Sequence, residues 1–113
     1  MDIKVRAWDS ISKKMHPWET VKKHPLSQFQ ELDHYTLLLC TGIKDKFENY
    51  IYEGDKMIIN DNEYVVEWSK GGFWMCRMDV EDVRILMMIV EIQGYVSIPV
   101  SGNIYESHKN KPQ

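Results

Sequence analysis

Between Gly54 and Arg77 three runs of strand-forming residues follow one another so closely that they must fold back as an antiparallel meander. Lys56–Ile59 is the first run, and Asp61-Asn62 suit a two-residue hairpin turn because Asn and Asp tolerate positive φ. Tyr64, Val66 and Trp68 alternate with polar or smaller neighbours and share one face of the second run. Ser69-Lys70-Gly71-Gly72 then reverses the chain, glycine supplying the backbone freedom for the reversal, and Phe73–Arg77 runs back.

The rest of the chain is also written in short pieces. Ile3, Val5 and Ala7 alternate with Lys4, Arg6 and Trp8, the period of a half-buried strand. Asp9-Ser10-Ile11-Ser12 is a turn cluster, and Lys14–Trp18 reads as a returning strand. Residues 19–34 are polar and broken by His24-Pro25, with room for one helical turn near Ser27–Leu32. Tyr35–Cys40 reads as a central strand ended by Thr41-Gly42, followed by a loop over Lys44–Asn49 and a short bridge at Tyr50–Tyr52. Asp79–Gly94 reads as a helix: Asp79 suits the N-cap, Asp82 the positive end of the dipole, and Gly94 the C′ position. The apolar run Ile85–Val90 within it also fits a buried strand, since periodicity does not separate the two. Ile98–Tyr105 is a last strand broken by Ser101-Gly102, where glycine suggests a bulge or sharp bend. The fold class expected is mainly β: a small, strongly bent barrel or sandwich of short strands, capped by one α-helix.

With 113 residues the chain is read as one domain, 1–113, whose polar end, 107–113, frays. Its longest apolar run, Ile85–Val90, falls far short of the roughly 18 residues a membrane helix needs, and MDIKVRAWD is no signal peptide. The expected location is therefore the cytoplasm of whatever cell makes it. Cys40 and Cys76 each sit in an apolar run without ligand-spaced partners, so both read as buried free thiols in a reducing compartment. The net charge of −3 is uneven. Residues 1–30 carry six Lys or Arg against three Asp or Glu, and the remainder eight against fourteen. An acidic body argues against nucleic acid as the partner and leaves only the basic N-terminal segment for it.

Three separated blocks carry a family likeness. They are Lys4-Val5-Arg6-Ala7-Trp8-Asp9 with Lys13-Lys14-Met15; Thr41-Gly42-Ile43-Lys44-Asp45-Lys46 with Ile51-Tyr52-Glu53-Gly54-Asp55; and Gly102-Asn103-Ile104-Tyr105-Glu106. In order and spacing they resemble the YopX family of phage and prophage proteins. The resemblance implies a fold and a phage setting, and brings no reaction with it. One departure stands out: where family members commonly place Asn-Gly after the Lys-Asp-Lys run, this chain has Phe47-Glu48. Losing a glycine there removes a residue suited to positive φ, so a different turn is expected.

No catalytic constellation emerges. The serines lie in turns, the Gly-Gly pair is a hairpin tip, and His16, His24, His34 and His108 are scattered. Glu53 and Asp55 can be read as paired carboxylates on one strand face or, more simply, as a tight turn with Asp55 bonding backbone amides. No cofactor, metal or catalytic residue is assigned. The expected function is a non-catalytic module that binds a host or phage protein, for instance as an inhibitor of a bacterial defence effector. Its candidate interaction surface is Trp8, Trp18, Lys44, Asp45, Phe47, Glu53 and Asp55. Phe47 either anchors such a contact or folds back on the barrel. The alternatives are a small-ligand binder for a nucleotide signal and nucleic-acid binding through the basic N-terminal segment. Open strand edges also favour a homo-oligomer. Gly54 and Gly102 are expected to include a positive φ or a bulge.

Overall fold

The computed structural model describes residues 3–81, 83–87 and 96–106. Among these residues nine strands form two antiparallel sheets. The first has the order β2-β1-β3-β4, and the second β8-β7-β6-β5-β9. β1 (Val5–Asp9) turns into β2 (Lys14–His16) because the Asp9 carboxylate accepts the backbone N–H groups of Ile11 and Ser12 at 2.9 and 3.2 Å. The returning strand stops at His16. Pro17 cannot continue the ladder, and its carbonyl instead starts α1 (Trp18–Val21) by accepting Thr20 and Val21 N–H, so Trp18 is helical. Pro25 starts α2 (Leu26–Gln30) in the same way. The two helical turns bury Val21 and Phe29 against Val5 and Ala7, making a small core on the first sheet.

β3 (Tyr35–Lys44) pairs with β1 from Val5↔Leu39 to Asp9↔Tyr35 and with β4 (Tyr50–Tyr52) on its other side. Thr41-Gly42 does not end this strand. Gly42, at φ +80°, lies inside an irregularity where pairing with β4 shifts between Cys40 and Lys44.

The second sheet contains the meander. β5 (Asp55–Ile59), β6 (Asn62–Ser69) and β7 (Gly72–Arg77) are joined by turns with two central residues at positive φ. The first turn is Asn60-Asp61, one residue earlier than Asp61-Asn62, because Asn62 already pairs with Ile59. Lys70-Gly71 makes the second. β9 (Val100–Asn103) closes on the outer side of β5 with a register shift at Lys56/Met57, where Gly102 has φ +153°. The result is mainly β, a strongly curled half-barrel sheet beside a second sheet. Its main core gathers Ile43, Ile51, Met57, Val66, Met75 and Met87.

The helix expected over Asp79–Gly94 is not what its first half forms. Asp79 takes the Arg77 guanidinium on both carboxylate oxygens, at 2.9 and 2.8 Å, and Arg77 N–H bonds the Val83 carbonyl. The chain thereby reverses, and β8 (Arg84–Leu86) covers the edge of β7 through Trp74↔Leu86 and Cys76↔Arg84. Residues 82 and 88–94 of that expected helix, and the expected frayed end at 107–113, lie outside the described residues. Among the described residues no helix is long and apolar enough to cross a membrane.

Candidate functional site

Two regions concentrate unusual side chains: a buried polar seam that ties the sheets together, and an aromatic groove on the surface. The seam begins with Arg6 on β1. Its guanidinium donates to Asp55 Oδ1 at 2.6 Å and to the Glu53 carbonyl at 3.3 Å, and lies over the Tyr52 ring, 4.7 Å from the centroid. Asp55 Oδ2 accepts Tyr52 N–H at 2.8 Å, so both of its oxygens are bonded. Glu53 reaches the other way and accepts Leu39 N–H at 3.0 Å. The two carboxylates are thus tied to different backbones. Burial raises the Asp55 carboxyl above its ordinary 3.8, with Arg6 opposing the shift. Burial likewise pushes the Tyr52 hydroxyl up to about 12 and raises the Cys40 thiol beyond 9.0. The raised Tyr52 hydroxyl and Cys40 thiol stay protonated at neutral pH, and both Asp55 oxygens are engaged by Arg6 and the Tyr52 N–H.

The seam extends through Gly54 and Asp45. Gly54 has φ +87°, its carbonyl accepts Ile104 N–H, and a Cβ there would stand 2.8 Å from the Tyr105 ring. Tyr105 stacks on Trp8 with centroids 5.8 Å apart, and Asn103 Oδ1 accepts the N–H groups of Tyr105 and Glu106. Asp45, on the far side, accepts Phe47 and Asn49 N–H on one oxygen and Val100 N–H on the other. That network holds the Lys44–Asn49 loop to β9, and it keeps Glu48 at φ +67° although the residue is not glycine.

Three of the seven expected surface residues are therefore interior. Trp8, Asp45 and Asp55 are buried, each bonded or packed within the seam. Trp18 is half-buried against the small core, Lys44 is half-buried beside Tyr50, and Glu53 is half-buried by its bond to Leu39. Phe47 alone stands out, 66% exposed at the loop tip with Lys46 Nζ 5.8 Å from its ring. Cys76 is buried and Cys40 half-buried, both as free thiols. Two of the scattered histidines do meet: His16 and His34 Nε2 lie 3.9 and 4.0 Å from the Asp9 carboxylate. Among the described residues no group of three or more His, Cys, Asp or Glu is placed to hold a metal ion.

The surface feature that sequence reading missed is a groove of about 470 Å³ lined by residues of both sheets. Ile3, Leu39, Cys40 and Tyr50 line it together with Trp68 and Phe73 of the second hairpin. Trp68 and Phe73 face each other across the second hairpin, edge to face at 4.7 Å, immediately before and after the Lys70-Gly71 turn. Large apolar side chains flanking a tight hairpin tip are a signal the sequence contained. The joining of that tip to Ile3 and Tyr50 is a product of the tertiary fold.

The comparisons with known proteins agree with this architecture. A family model described as YopX protein matches residues 12–109. A crystal structure of protein EF1440 from Enterococcus faecalis superposes with a TM-score of 0.65 at 17% identity, covering 96% of this chain and 97% of that one. At that identity the likeness is one of fold. No curated protein matches the chain significantly.

Proposed function

Because this chain belongs to the YopX family, a phage-type family not known for an enzymatic activity, we propose that it is a non-catalytic interaction module binding a host or phage protein through the aromatic groove. The observation that carries this reading is the division of labour between the two regions. The family-like blocks around Arg6, Glu53-Gly54-Asp55 and Tyr105 are occupied in holding the sheets together, whereas Ile3, Tyr50 and Trp68 present exposed apolar surface around the groove, beside Phe73, which also packs on the core. Aromatic clusters of this kind are the usual anchors of protein interfaces. Phe47, at the tip of the Asp45 loop, supplies a further contact. In a phage setting, an inhibitor of a bacterial defence effector is one form this role takes.

The test is capture from a bacterial lysate with tagged protein, run beside Trp68→Ser and Ile3→Ser variants whose melting curves are checked. A partner recovered by the parent chain and lost with the groove variants supports the reading. Recovery unchanged by both variants, or no reproducible partner, counts against it. The groove's volume favours a second reading, because small-molecule pockets span about 300–1,000 Å³. Thermal-shift screening with cyclic and dinucleotide panels decides it: a ligand at a hundred times its Kd adds ~2.7 kcal/mol of stability, and a flat response excludes those ligands.

A further inference from the structure

The groove has a charge pattern as well as an apolar one, and the inference drawn from it rests on the protein-binding reading above. Lys4 lines the groove, its Nζ 4.1 Å from the Tyr50 ring centroid, and Lys44 brings a second ammonium to 5.2 Å from the same ring. Among the described residues no carboxylate lines the groove. Among the described residues, neither lysine is within ion-pair distance of an acid. Glu19 is paired with Lys22 at 2.8 Å, and Glu53 is bonded to Leu39 N–H. Two cations held by one aromatic ring, on a chain of net charge −3, form a local positive spot in an acidic body.

The lining adds a backbone donor. At the irregularity in β3 the Gly42 N–H points to the Cys40 sulfur at 3.4 Å, a weak acceptor, and open space surrounds the missing side chain of Gly42. An incoming oxygen can displace that sulfur contact at small cost.

We infer that the groove receives an acidic, extended peptide segment of the partner protein, with an apolar or aromatic side chain seated among Tyr50, Trp68 and Phe73 and a neighbouring carboxylate beside Lys4 and the Gly42 N–H. A peptide fits better than an enclosed small molecule because the walls stand open: Ile3 is 70% exposed and Trp68 47%. Small-molecule sites usually enclose most of their ligand's surface. The lysines select the sign of the segment and speed its arrival, and the aromatic walls hold its anchor.

The experiment is selection of a random peptide library on the immobilised full chain, followed by titration of the enriched peptides against the parent protein, Lys4→Glu, Lys44→Glu and Trp68→Ala. The expected outcome is enrichment of Asp or Glu beside Trp, Phe or Leu. Binding should weaken as salt rises, fall about tenfold in the charge-reversed variants, and vanish in Trp68→Ala. The two lysine variants keep the test decisive if Trp68→Ala melts early. Enrichment of neutral or basic peptides, no enrichment, or indifference to both charge reversals overturns the inference. So does displacement of the bound peptide by a mononucleotide such as AMP, which would mark the groove as a small-anion site. If a lysate partner is captured through Trp68 while the selected peptides show no acidic preference, this inference fails and the interaction-module reading stands.

Discussion

Trp8 and Trp68 belong to the two regions that distinguish this molecule, and their surroundings differ in kind. Trp8 is 6% exposed, stacked on Tyr105 behind the Arg6–Asp55 pair. Trp68 is 47% exposed at a hairpin tip, with Phe73 as its cross-strand partner. Around Trp8 the carboxylates of Asp55, Asp45 and Glu53 each accept a backbone N–H. Around Trp68 the groove holds apolar surface in water and a backbone N–H turned to sulfur. The first region turns its charged side chains toward one another and toward backbone, whereas the second leaves Ile3 and Trp68 facing solvent. Residues that make a sequence look familiar can be those that hold the fold together.

The comparison breaks most severely at the ion pair. Arg6→Met leaves Asp55 buried without its cation, and the loss in a urea melt is expected to be about 3–5 kcal/mol, whereas an exposed ion pair is worth about 1 kcal/mol or less. A midpoint unchanged by this substitution would remove the seam from the account. The same carboxyl also gives a pH signature. Its folded pKa lies above 3.8, so the folded chain holds a proton that the unfolded chain releases. The contribution of this group is full below 3.8 and declines as pH rises through the raised value. Carboxyl NMR of the parent protein should show Asp55 titrating above 3.8, and higher still in any Arg6→Met protein that remains folded. A value at or below 3.8 contradicts the burial argument.

Next in size is Gly54→Val. Positive φ and the 2.8 Å approach of Tyr105 act together, and ~2–4 kcal/mol is expected. Gly72→Val, at an ordinary φ with only a mobile Leu86 methyl at 3.3 Å, should cost less than ~1 kcal/mol. Equal losses at the two glycines would show that the tight approach to Tyr105 has no special weight. Glu48→Gly sharpens the picture in the opposite direction. Glu48 occupies φ +67° without a glycine's freedom, so this change is expected to stabilise the protein by ~0.5–1 kcal/mol. A lower midpoint would mean that the Glu48 side chain contributes something its backbone does not reveal. The smallest effects belong to the exposed residues. Ile3→Ser and Phe47→Ser should move the urea midpoint by no more than about 0.5 kcal/mol in free energy, while Ile3→Ser abolishes partner capture. A large stability loss in either variant would place that residue with the seam.

The parts of this fold legible in the sequence are the local ones. Alternation exposed β1 and β6, Asx and glycine chemistry exposed the hairpin turns to within a residue, and Gly54 and Gly102 both take positive φ, as their sequence context suggests. What stayed hidden depends on distant partners. Arg6 and Asp55 are 49 positions apart, and nothing near either residue announces the other. Asp79 resembles an N-cap until Arg77 takes both of its oxygens, and Ile85–Leu86 resembles a helix until the open edge of β7 claims it. Gly42 resembles a strand terminator because its role as an irregularity within β3 requires β4 to be present. Lys44–Asn49 reads as one loop, but Lys44 closes β3, and the bonds of Asp45 turn it inward and leave Phe47 outside.

The position of β5 has a consequence for how the chain assembles. One neighbour, β6, follows across a two-residue turn and can pair within microseconds. The other, β9, reaches Lys56 through the Ser101 hydroxyl from 45 residues further along. Loop-closure entropy and contact order both make that second pairing late. During synthesis the outer edge of β5 therefore emerges from the ribosome before its cover exists, and stays uncovered until the segment around Val100 follows. An unpaired edge in a crowded cell is an invitation to the wrong strand. Lys56, a charge in the middle of that edge, makes intermolecular pairing less favourable until the intended partner arrives.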